Sequence, residues 1–256
     1  MEEYTEQYTA LAGHYDRLTF DVDYKGWAAF AQKMFRKHHI PGKLILELAC
    51  GTGSLSYELA QRGFDMISSD ISPDMLSVAR EKCAGLEHMP MFICQDMTRI
   101  DLYGGVSGCV CGLDSVNYVT DIRGLRRMFR RVSTFLEPGG IFLFDVKSTG
   151  LFEEMAGTCS AWEEDGLFTV WEYGYDRRTM RASHTVDIFE ETGGLYRRYS
   201  ETHYQRAYTV DTLTDMINES QLELLGIYSD LKQTPYSGEN GRLYFAAVKT
   251  GGNTNE

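Results

Sequence analysis

The chain has 256 residues, of which 25 are Lys or Arg and 37 are Asp or Glu, so its formal net charge is −12. This balance argues against nucleic-acid binding as the main activity, because affinity for a polyanion comes mostly from Lys and Arg that neutralise phosphates. Apolar residues make up 43% and charged residues 24%, which are the proportions of a folded domain and not of a disordered chain.

The first 23 residues contain six acidic residues and no apolar run, so neither a signal peptide nor a membrane anchor is expected. No segment approaches the roughly 20 apolar residues that cross a bilayer. The cysteines include no C-x-x-C pair; they are Cys50, Cys83, Cys94, Cys109, Cys111 and Cys159. We therefore predict reduced thiols in a cytoplasmic protein, with no membrane partner.

Two helices are predicted at the start of the chain, over Glu6 to Leu18 and Tyr24 to His39. From Lys43 to Val146, short apolar runs alternate with amphipathic segments, which is the pattern of βαβ units in a parallel sheet. The predicted strands are Leu44 to Ala49, Asp65 to Ser69, Met91 to Cys94, Val106 to Leu113 and Ile141 to Val146.

Helix boundaries are marked by capping residues. Ser72-Pro73-Asp74 offers a capping hydroxyl, a proline for the first turn and an acid, and predicts a helix to about Cys83. Gly63 is expected to close the preceding helix. Pro138-Gly139-Gly140 is expected to stop the helix that follows Asp121.

The pattern changes between Leu151 and Tyr208, where 11 of 58 residues are aromatic. Asp176-Arg-Arg-Thr179 and Thr192-Gly-Gly194 are typical of hairpin connections, so an antiparallel insertion is predicted. A helix from Val210 to Ser220 and strands near Leu222 to Ser229 and Arg242 to Lys249 then complete the sheet.

The strongest local motif is Glu47-Leu-Ala-Cys-Gly51-Thr-Gly53, which follows a buried strand and precedes a helix. Backbone amides and a helix N-terminus there can cradle a ligand, although a plain tight turn has the same pattern. A dinucleotide fingerprint requires a third glycine at position 56, where this chain has Ser56. A P-loop would require a Gly-Lys-Ser/Thr sequence, which does not follow.

Acidic residues also follow the next three strands. Asp70 stands 19 residues after Gly51, where a carboxylate can accept both hydroxyls of a ribose. Gln95-Asp96-Met97 offers a carboxylate for an exocyclic amine and an apolar side chain for a purine, and Leu113-Asp114 ends the fourth strand. One such acid is as often a helix cap or turn former, but four at one edge of a parallel sheet argue against coincidence.

These residues resemble class I S-adenosylmethionine-dependent methyltransferases. Glu47 to Gly53 is similar to the first motif of that family, and Leu136 to Asp145 to its fifth-strand entry. More narrowly, Tyr15-Asp16, Tyr24, Asp114 to Tyr118 and Glu201 to Arg206 resemble a YqeM-like branch of bacterial small-molecule methyltransferases.

The resemblance implies an α/β fold: a Rossmann-like, seven-stranded, mostly parallel sheet with helices on both faces. We expect one methyltransferase domain over 1–256, made of an N-terminal helical cap (1–40), a cofactor-binding core (41–150), an antiparallel β lid insertion (151–208) and a C-terminal completion of the sheet (209–256).

The resemblance also assigns cofactor residues. Asp70 would bind the ribose hydroxyls, and Asp96 would accept from the adenine amino group. Tyr15 and Tyr24 would come from the cap and fold over the cofactor. The remaining predicted contacts are Ala49, Gly51 and Gly53 at the methionine portion, Ile71 and Met97 at the adenine, and their neighbours Glu47, Cys50, Met75, Gln95, Leu113 and Asp114.

The candidate catalytic residues on the acceptor side are Tyr118, His203 and Arg206. Structural roles are equally open for His203 and Arg206, and Tyr118 could instead pack under the lid. Trp162, Trp171 and Tyr173 either line an apolar pocket or belong to ordinary strand packing.

These features predict methyl transfer from S-adenosylmethionine to a nitrogen or oxygen of a small molecule by in-line displacement. No metal is expected, because Val146-Lys147 follows Asp145 where a metal-dependent relative would place another ligand. The alternatives are a non-catalytic protein that binds the cofactor or assists assembly, and a nicotinamide-dependent oxidoreductase, which Ser56 disfavours. The oligomeric state is left open.

Overall fold

The computed structural model describes residues 12–164 and 166–251. Its helices are α1 (Tyr15–Leu18), α2 (Tyr24–Lys37), α3 (Ser54–Gln61), α4 (Pro73–Cys83), α5 (Ile122–Phe135), α6 (Thr149–Met155) and α7 (Val210–Glu219). Its strands are β1 (Leu44–Leu48), β2 (Asp65–Asp70), β3 (Met91–Cys94), β4 (Val106–Cys111), β5 (Leu136–Lys147), β6 (Cys159–Glu164), β7 (Leu167–Asp176), β8 (Arg181–Thr192), β9 (Leu195–Arg206), β10 (Leu222–Tyr228) and β11 (Arg242–Lys249).

Seven strands form the main sheet in the order β10-β11-β5-β4-β1-β2-β3. Strands β1 to β5 are parallel, and β11 runs antiparallel to both β5 and β10. The chain order reverses between β1 and β4, which is where ligands bind in open α/β sheets. The predicted α/β class and the mostly parallel sheet are confirmed.

Both faces of the sheet are buried, because consecutive strand residues feed two different core clusters. Phe142 and Phe144 pack on the side of α5 and α7, together with Cys109 and Cys111. Ile141 lies on the other side with residues of α2 and α3. This two-sided burial explains why the strands read as continuous apolar runs. No helix within the two described ranges is long and apolar enough to cross a membrane.

The start of α4 is confirmed: the Ser72 hydroxyl accepts a hydrogen bond from the Met75 amide at 3.3 Å. The predicted start of the fifth strand at Ile141 is too late. Helix α5 already ends at Phe135, and β5 includes Pro138-Gly139-Gly140 because Leu136 pairs with Val106 of β4.

The predicted insertion contains a second, four-stranded antiparallel sheet in the order β6-β7-β8-β9. Its hairpins turn at the two predicted places, after Asp176 and after Thr192. The first residues of the segment are helical, however, since the Ser148 hydroxyl accepts from the Leu151 amide at 3.1 Å and caps α6. The lid sheet therefore begins at β6 and not at Leu151.

The N-terminal cap joins the lid to the core. Helix α2 forms as predicted, whereas the structure has only the short α1 within the first predicted helix, and residues 1–11 lie outside the described ranges. Leu18 of α1 packs against Val186 and Ile188 of the lid. The Arg17 guanidinium donates to the Glu164 carbonyl of the lid at 3.0 Å.

Candidate active site

The turn after β1 leaves an open space over the sheet. Ala49, Gly51 and Gly53 all have positive φ, at 52°, 53° and 75°. A Cβ on Gly51 would meet no described atom within 4 Å, whereas a Cβ on Gly53 would approach the Cβ of Ala79 to 2.8 Å. Gly53 thus lets α3 pack against α4, and the approach of the cofactor to the backbone at Gly51 stays a prediction.

Asp70 lies at the end of β2, directly beside this turn. One of its carboxylate oxygens accepts from the Gly51 amide at 2.8 Å, and the other from the Ser72 amide at 2.9 Å. Burial raises the pKa of Asp70, and these amides oppose the rise. Each oxygen retains a second lone pair, so the carboxylate can hold the glycine turn and still accept from a ligand.

The predicted adenine side is the end of β3. Ile71 is 43% exposed, whereas Met75 of α4 is buried. Asp96 caps a 3-10 turn, accepting from the Thr98 amide and hydroxyl at 2.7 and 2.9 Å. The Gln95 side-chain oxygen accepts a hydrogen bond from the Asp101 amide at 2.8 Å. Asp96 and Gln95 therefore have local structural roles, and their contact with a cofactor stays a prediction.

Glu47 is buried behind the turn. The Ser56 hydroxyl donates to its carboxylate and is also 2.8 Å from the Ser68 hydroxyl. Burial raises the pKa of Glu47 to about 8, against the lowering effect of the Ser56 hydrogen bond. Ser56 stands where a dinucleotide-binding motif would have its third glycine. Its structural role here is to donate a hydrogen bond to the buried Glu47 of the first motif.

The raised pKa of Glu47 predicts that stability falls as the pH rises. The folded pKa of Glu47 lies near 8 and the unfolded value near 4.5, so the folded state binds more protons between these values. Its contribution to stability is complete below pH 4.5 and is lost as the pH rises through 8. We expect Glu47→Gln to remove most of this decline in the free energy of unfolding, which amounts to about 5 kcal/mol over this range.

Urea unfolding of the two proteins at several pH values measures this effect. A matched control is Glu58→Gln, since Glu58 forms an i,i+4 pair with Arg62 on α3 and should leave the slope unchanged. Parallel pH profiles for the parent and Glu47→Gln would contradict the buried, protonated carboxyl.

The cap brings two predicted tyrosines toward the site. Burial raises the pKa of Tyr15 well above its usual value, with further contributions from Tyr24 and Tyr118. The Tyr24 hydroxyl is 3.3 Å from the Thr19 hydroxyl. Tyr15 thus interacts electrostatically with Tyr24 and with residues at the ends of β2 and β4, Asp70 and Asp114.

A polar contact that sequence reasoning missed fastens the cap to the glycine turn. The Asp16 carboxylate accepts from the Thr52 hydroxyl and from the Lys82 ammonium, both at 2.7 Å. Lys82 also donates to the hydroxyls of Thr52 and Ser54 at 3.0 and 2.5 Å. These contacts join α1, the glycine turn and α4.

A buried charge network occupies the ends of β4 and β5. Asp145 accepts from the Trp27 indole at 2.9 Å and from the amides of Leu113 and Asp114 at 2.6 and 2.9 Å. The Arg242 guanidinium bridges Asp145 and Asp114. These hydrogen bonds hold the Leu113-Asp114 turn, in which both residues have positive φ.

Asp114 has a different environment from the one predicted. Its carboxylate accepts from Arg242 at 2.7 Å, Lys147 at 3.0 Å and Gln205 at 2.6 Å. Although burial alone would raise its pKa, the two cations hold the pKa of Asp114 well below its usual range. The Asp114 carboxylate therefore has a structural role that joins residues distant in sequence, and its contact with the cofactor stays a prediction.

Tyr118 and His203 come together on the acceptor side, and a further residue, His184, joins them. The His184 and His203 rings stack with centroids 4.8 Å apart. The Tyr118 ring meets both edge-on, at 6.2 and 6.1 Å, and its hydroxyl is 3.4 Å from His184 Nε2. His203 Nε2 lies 3.4 Å from the Glu201 carboxylate.

Arg206 does not share this wall, contrary to the prediction. Successive residues of a strand point to opposite faces, and the side chains of His203 and Gln205 are buried on the inner face of β9. Arg206 points the other way, where its guanidinium donates to the Thr120 carbonyl at 3.3 Å and lies over the Tyr208 ring at 5.9 Å.

The three lid aromatics that were predicted either to line a pocket or to pack within the sheet have different surroundings. Trp171 stacks on His184 at 5.9 Å and on Tyr173 at 6.5 Å, so both rings lie beside the histidine pair, and Trp171 also packs against the apolar cluster that joins the lid to Leu18 of the cap. Trp162 instead packs edge-on against Phe20 of the cap at 5.7 Å. Trp162 therefore belongs to ordinary packing between the lid and the cap.

Comparison with known proteins identifies the family. Residues 45–140 match a family model described as a methyltransferase domain. The YqeM protein of Bacillus subtilis (strain 168), described as a methyltransferase, is 30% identical over 246 residues, which cover 95% of this chain and 97% of that protein.

Solved structures agree. The crystal structure of an S-adenosylmethionine-dependent methyltransferase from Clostridium acetobutylicum is 28% identical and superposes with a TM-score of 0.86 over 95% of this chain and 99% of that one. The sugar N-methyltransferase KedS8 from Streptoalloteichus shares the fold, with 21% identity and a TM-score of 0.77 over 93% of each chain. The chain belongs to the S-adenosylmethionine-dependent methyltransferases of the YqeM-like type.

Proposed function

We propose that this methyltransferase acts on a nitrogen or oxygen nucleophile of a small molecule, held between the end of β4 and the inner face of the lid sheet. The observation that carries this proposal is the meeting of Tyr118 with His184 and His203. Tyr118 comes from the core and the histidines from the lid, so the lid insertion completes the site.

The residues around the glycine turn fit the cofactor, because no atom of the described residues fills the space beside Gly51 and Asp70 is anchored next to it. We assign Gly51 to the methionine portion, Asp70 to the ribose and Ile71 with Met97 to the adenine. S-adenosylmethionine supplies a methyl group on a sulfonium, which is already reactive toward a nucleophile.

The work left to the protein is alignment and exclusion of water. Trp171 and Tyr173 provide an aromatic wall beside the histidines. Tyr118 and His203 are our candidates for orienting the nucleophile or assisting the loss of its proton.

The acceptor can be sought directly in extracts of a cell that carries this protein. The extract is incubated with purified enzyme and S-adenosylmethionine bearing a trideuterated methyl group, and mass spectrometry identifies small molecules that gain the label. The expected result is labelling of a nitrogen or oxygen in a small molecule. Binding of the cofactor without any labelled product would favour the non-catalytic alternative.

With that acceptor, Tyr118→Phe and His203→Ala should lower turnover by about tenfold or more, because alignment is lost before cofactor affinity. Cofactor affinity should change by less than about 1 kcal/mol, roughly fivefold. Tyr204→Phe is the matched control, since Tyr204 follows His203 but is 57% exposed on the other face of β9. Turnover equal to the parent in both test variants would return Tyr118 and His203 to structural roles.

A further inference from the structure

His184 is a buried lid residue to which no chemistry has been assigned. It lies on β8 directly opposite His203 on β9, and only 9% of its surface is exposed. Trp171 stacks on it from the neighbouring strand β7 at 5.9 Å. Its ring thus lies beside three rings of its own sheet, those of His203, Trp171 and Tyr173.

The remaining side of His184 faces the core. The Tyr118 hydroxyl lies 3.4 Å from Nε2, a long hydrogen bond, with the two ring planes at 88°. A neutral imidazole has one acceptor nitrogen and one N–H donor. The Tyr118 hydroxyl can donate to Nε2 only when the histidine proton is on Nδ1.

The surroundings of His184 keep it neutral. Burial first, and then the electrostatic interactions with His203 and Lys147, lower the pKa of His184 to about 3, and Asp114 opposes this. The Asp114 carboxylate is already engaged by Lys147 and Arg242. The ionisable groups that face His184 from the surrounding elements are His203 on β9, Lys147 on β5, Asp114 and Tyr118 after β4, and Tyr173 on β7.

We infer that His184 is a positioning residue that accepts the Tyr118 hydroxyl proton in a hydrogen bond and so turns the lone pairs of that oxygen toward the methyl acceptor. A tyrosine oxygen whose proton is committed in this way can only accept further hydrogen bonds. The nucleophile it orients must therefore carry a hydrogen.

This inference rests on the proposed function, and it narrows the substrate class. A neutral primary or secondary amine, or a hydroxyl, can donate to Tyr118 and present its own lone pair to the methyl group. A tertiary amine has no hydrogen to donate and would leave the Tyr118 oxygen without that bond. We expect the enzyme to stop before a quaternary ammonium product.

The hydrogen bond between the Tyr118 hydroxyl and His184 can be tested without a methyl-accepting substrate. Long-range proton–nitrogen NMR spectra of protein labelled with ¹⁵N-histidine report the protonation and tautomer of each imidazole, and the His184→Gln variant assigns the signals. We expect a neutral His184 with its proton on Nδ1 from about pH 5 to about pH 8. In Tyr118→Phe, the population should move toward the Nε2–H tautomer. A His184 that titrates in this range, or a tautomer unchanged in Tyr118→Phe, would overturn the inference even if methyl transfer is confirmed.

Kinetics with an identified acceptor give the second readout. His184→Leu should lower kcat by about tenfold with little change in KM, whereas His184→Gln, which retains an acceptor oxygen, should recover most of it. In the Tyr118→Phe background, adding His184→Leu should lower kcat by less than about a further twofold, because the two residues act as a unit. Independent, multiplicative losses would contradict the positioning role. Methylation of a tertiary amine analogue at the parent rate would contradict the narrowed substrate class.

Discussion

Gly51→Val is expected to weaken S-adenosylmethionine binding by at least about a hundredfold, or roughly 3 kcal/mol. A Cβ at this position meets no described atom within 4 Å, so the described part of the chain has room for the new side chain. That room is the space in which we place the methionine portion of the cofactor. The valine would therefore exclude the ligand and leave the surrounding protein packing intact.

The backbone strain of this change needs its own control. Gly51 has φ of 53°, where a branched side chain costs about 1–2 kcal/mol. Gly63 has φ of 85° and equally open surroundings among the described residues, but it follows the C-terminal end of α3, whereas the glycine turn precedes the N-terminal end of that helix. Gly63→Val should therefore lose similar stability and bind the cofactor like the parent in calorimetry. Equal affinities in all three proteins would place the cofactor elsewhere.

Arg242→Met is expected to lower the free energy of unfolding by about 3–5 kcal/mol. Arg242 bridges two buried carboxylates, and Asp145 is fully buried. Without the guanidinium, Lys147 remains as the only cation of this network among the described residues. Removing one partner of a buried ion pair lowers the free energy of unfolding far more than removing one partner of an exposed pair.

Urea unfolding followed by circular dichroism measures this loss. Arg126→Met is the matched control, because Arg126 forms a 2.8 Å pair with Glu219 that is 37% and 45% exposed. The control should change stability by less than about 1 kcal/mol. Similar losses for the two variants would show that the Arg242 network does not contribute as a buried unit.

Much of the architecture could be predicted because it depends on local pattern. Continuous apolar runs identified the strands of a sheet buried on both faces, and Ser72 identified the start of α4. The hairpin turns at Asp176 and Thr192 identified the antiparallel lid. The start of β5 was less visible, since Pro138-Gly139-Gly140 has the composition of a helix stop and pairing with β4 overrides it.

By itself, the sequence determined the features that short, contiguous segments encode. These features are the glycine turn, the acid after β2, the strands of the parallel sheet and the antiparallel lid. Tertiary structure decided which side chains meet across long separations. His184 reaches Tyr118 across 66 positions, and Arg242 reaches Asp114 across 128. It also decided that Arg206 faces away from His203, because strand register sets the face on which each side chain lies. A motif fixes its own backbone geometry locally, but the partners of a buried charge or ring are chosen only when distant elements pack together.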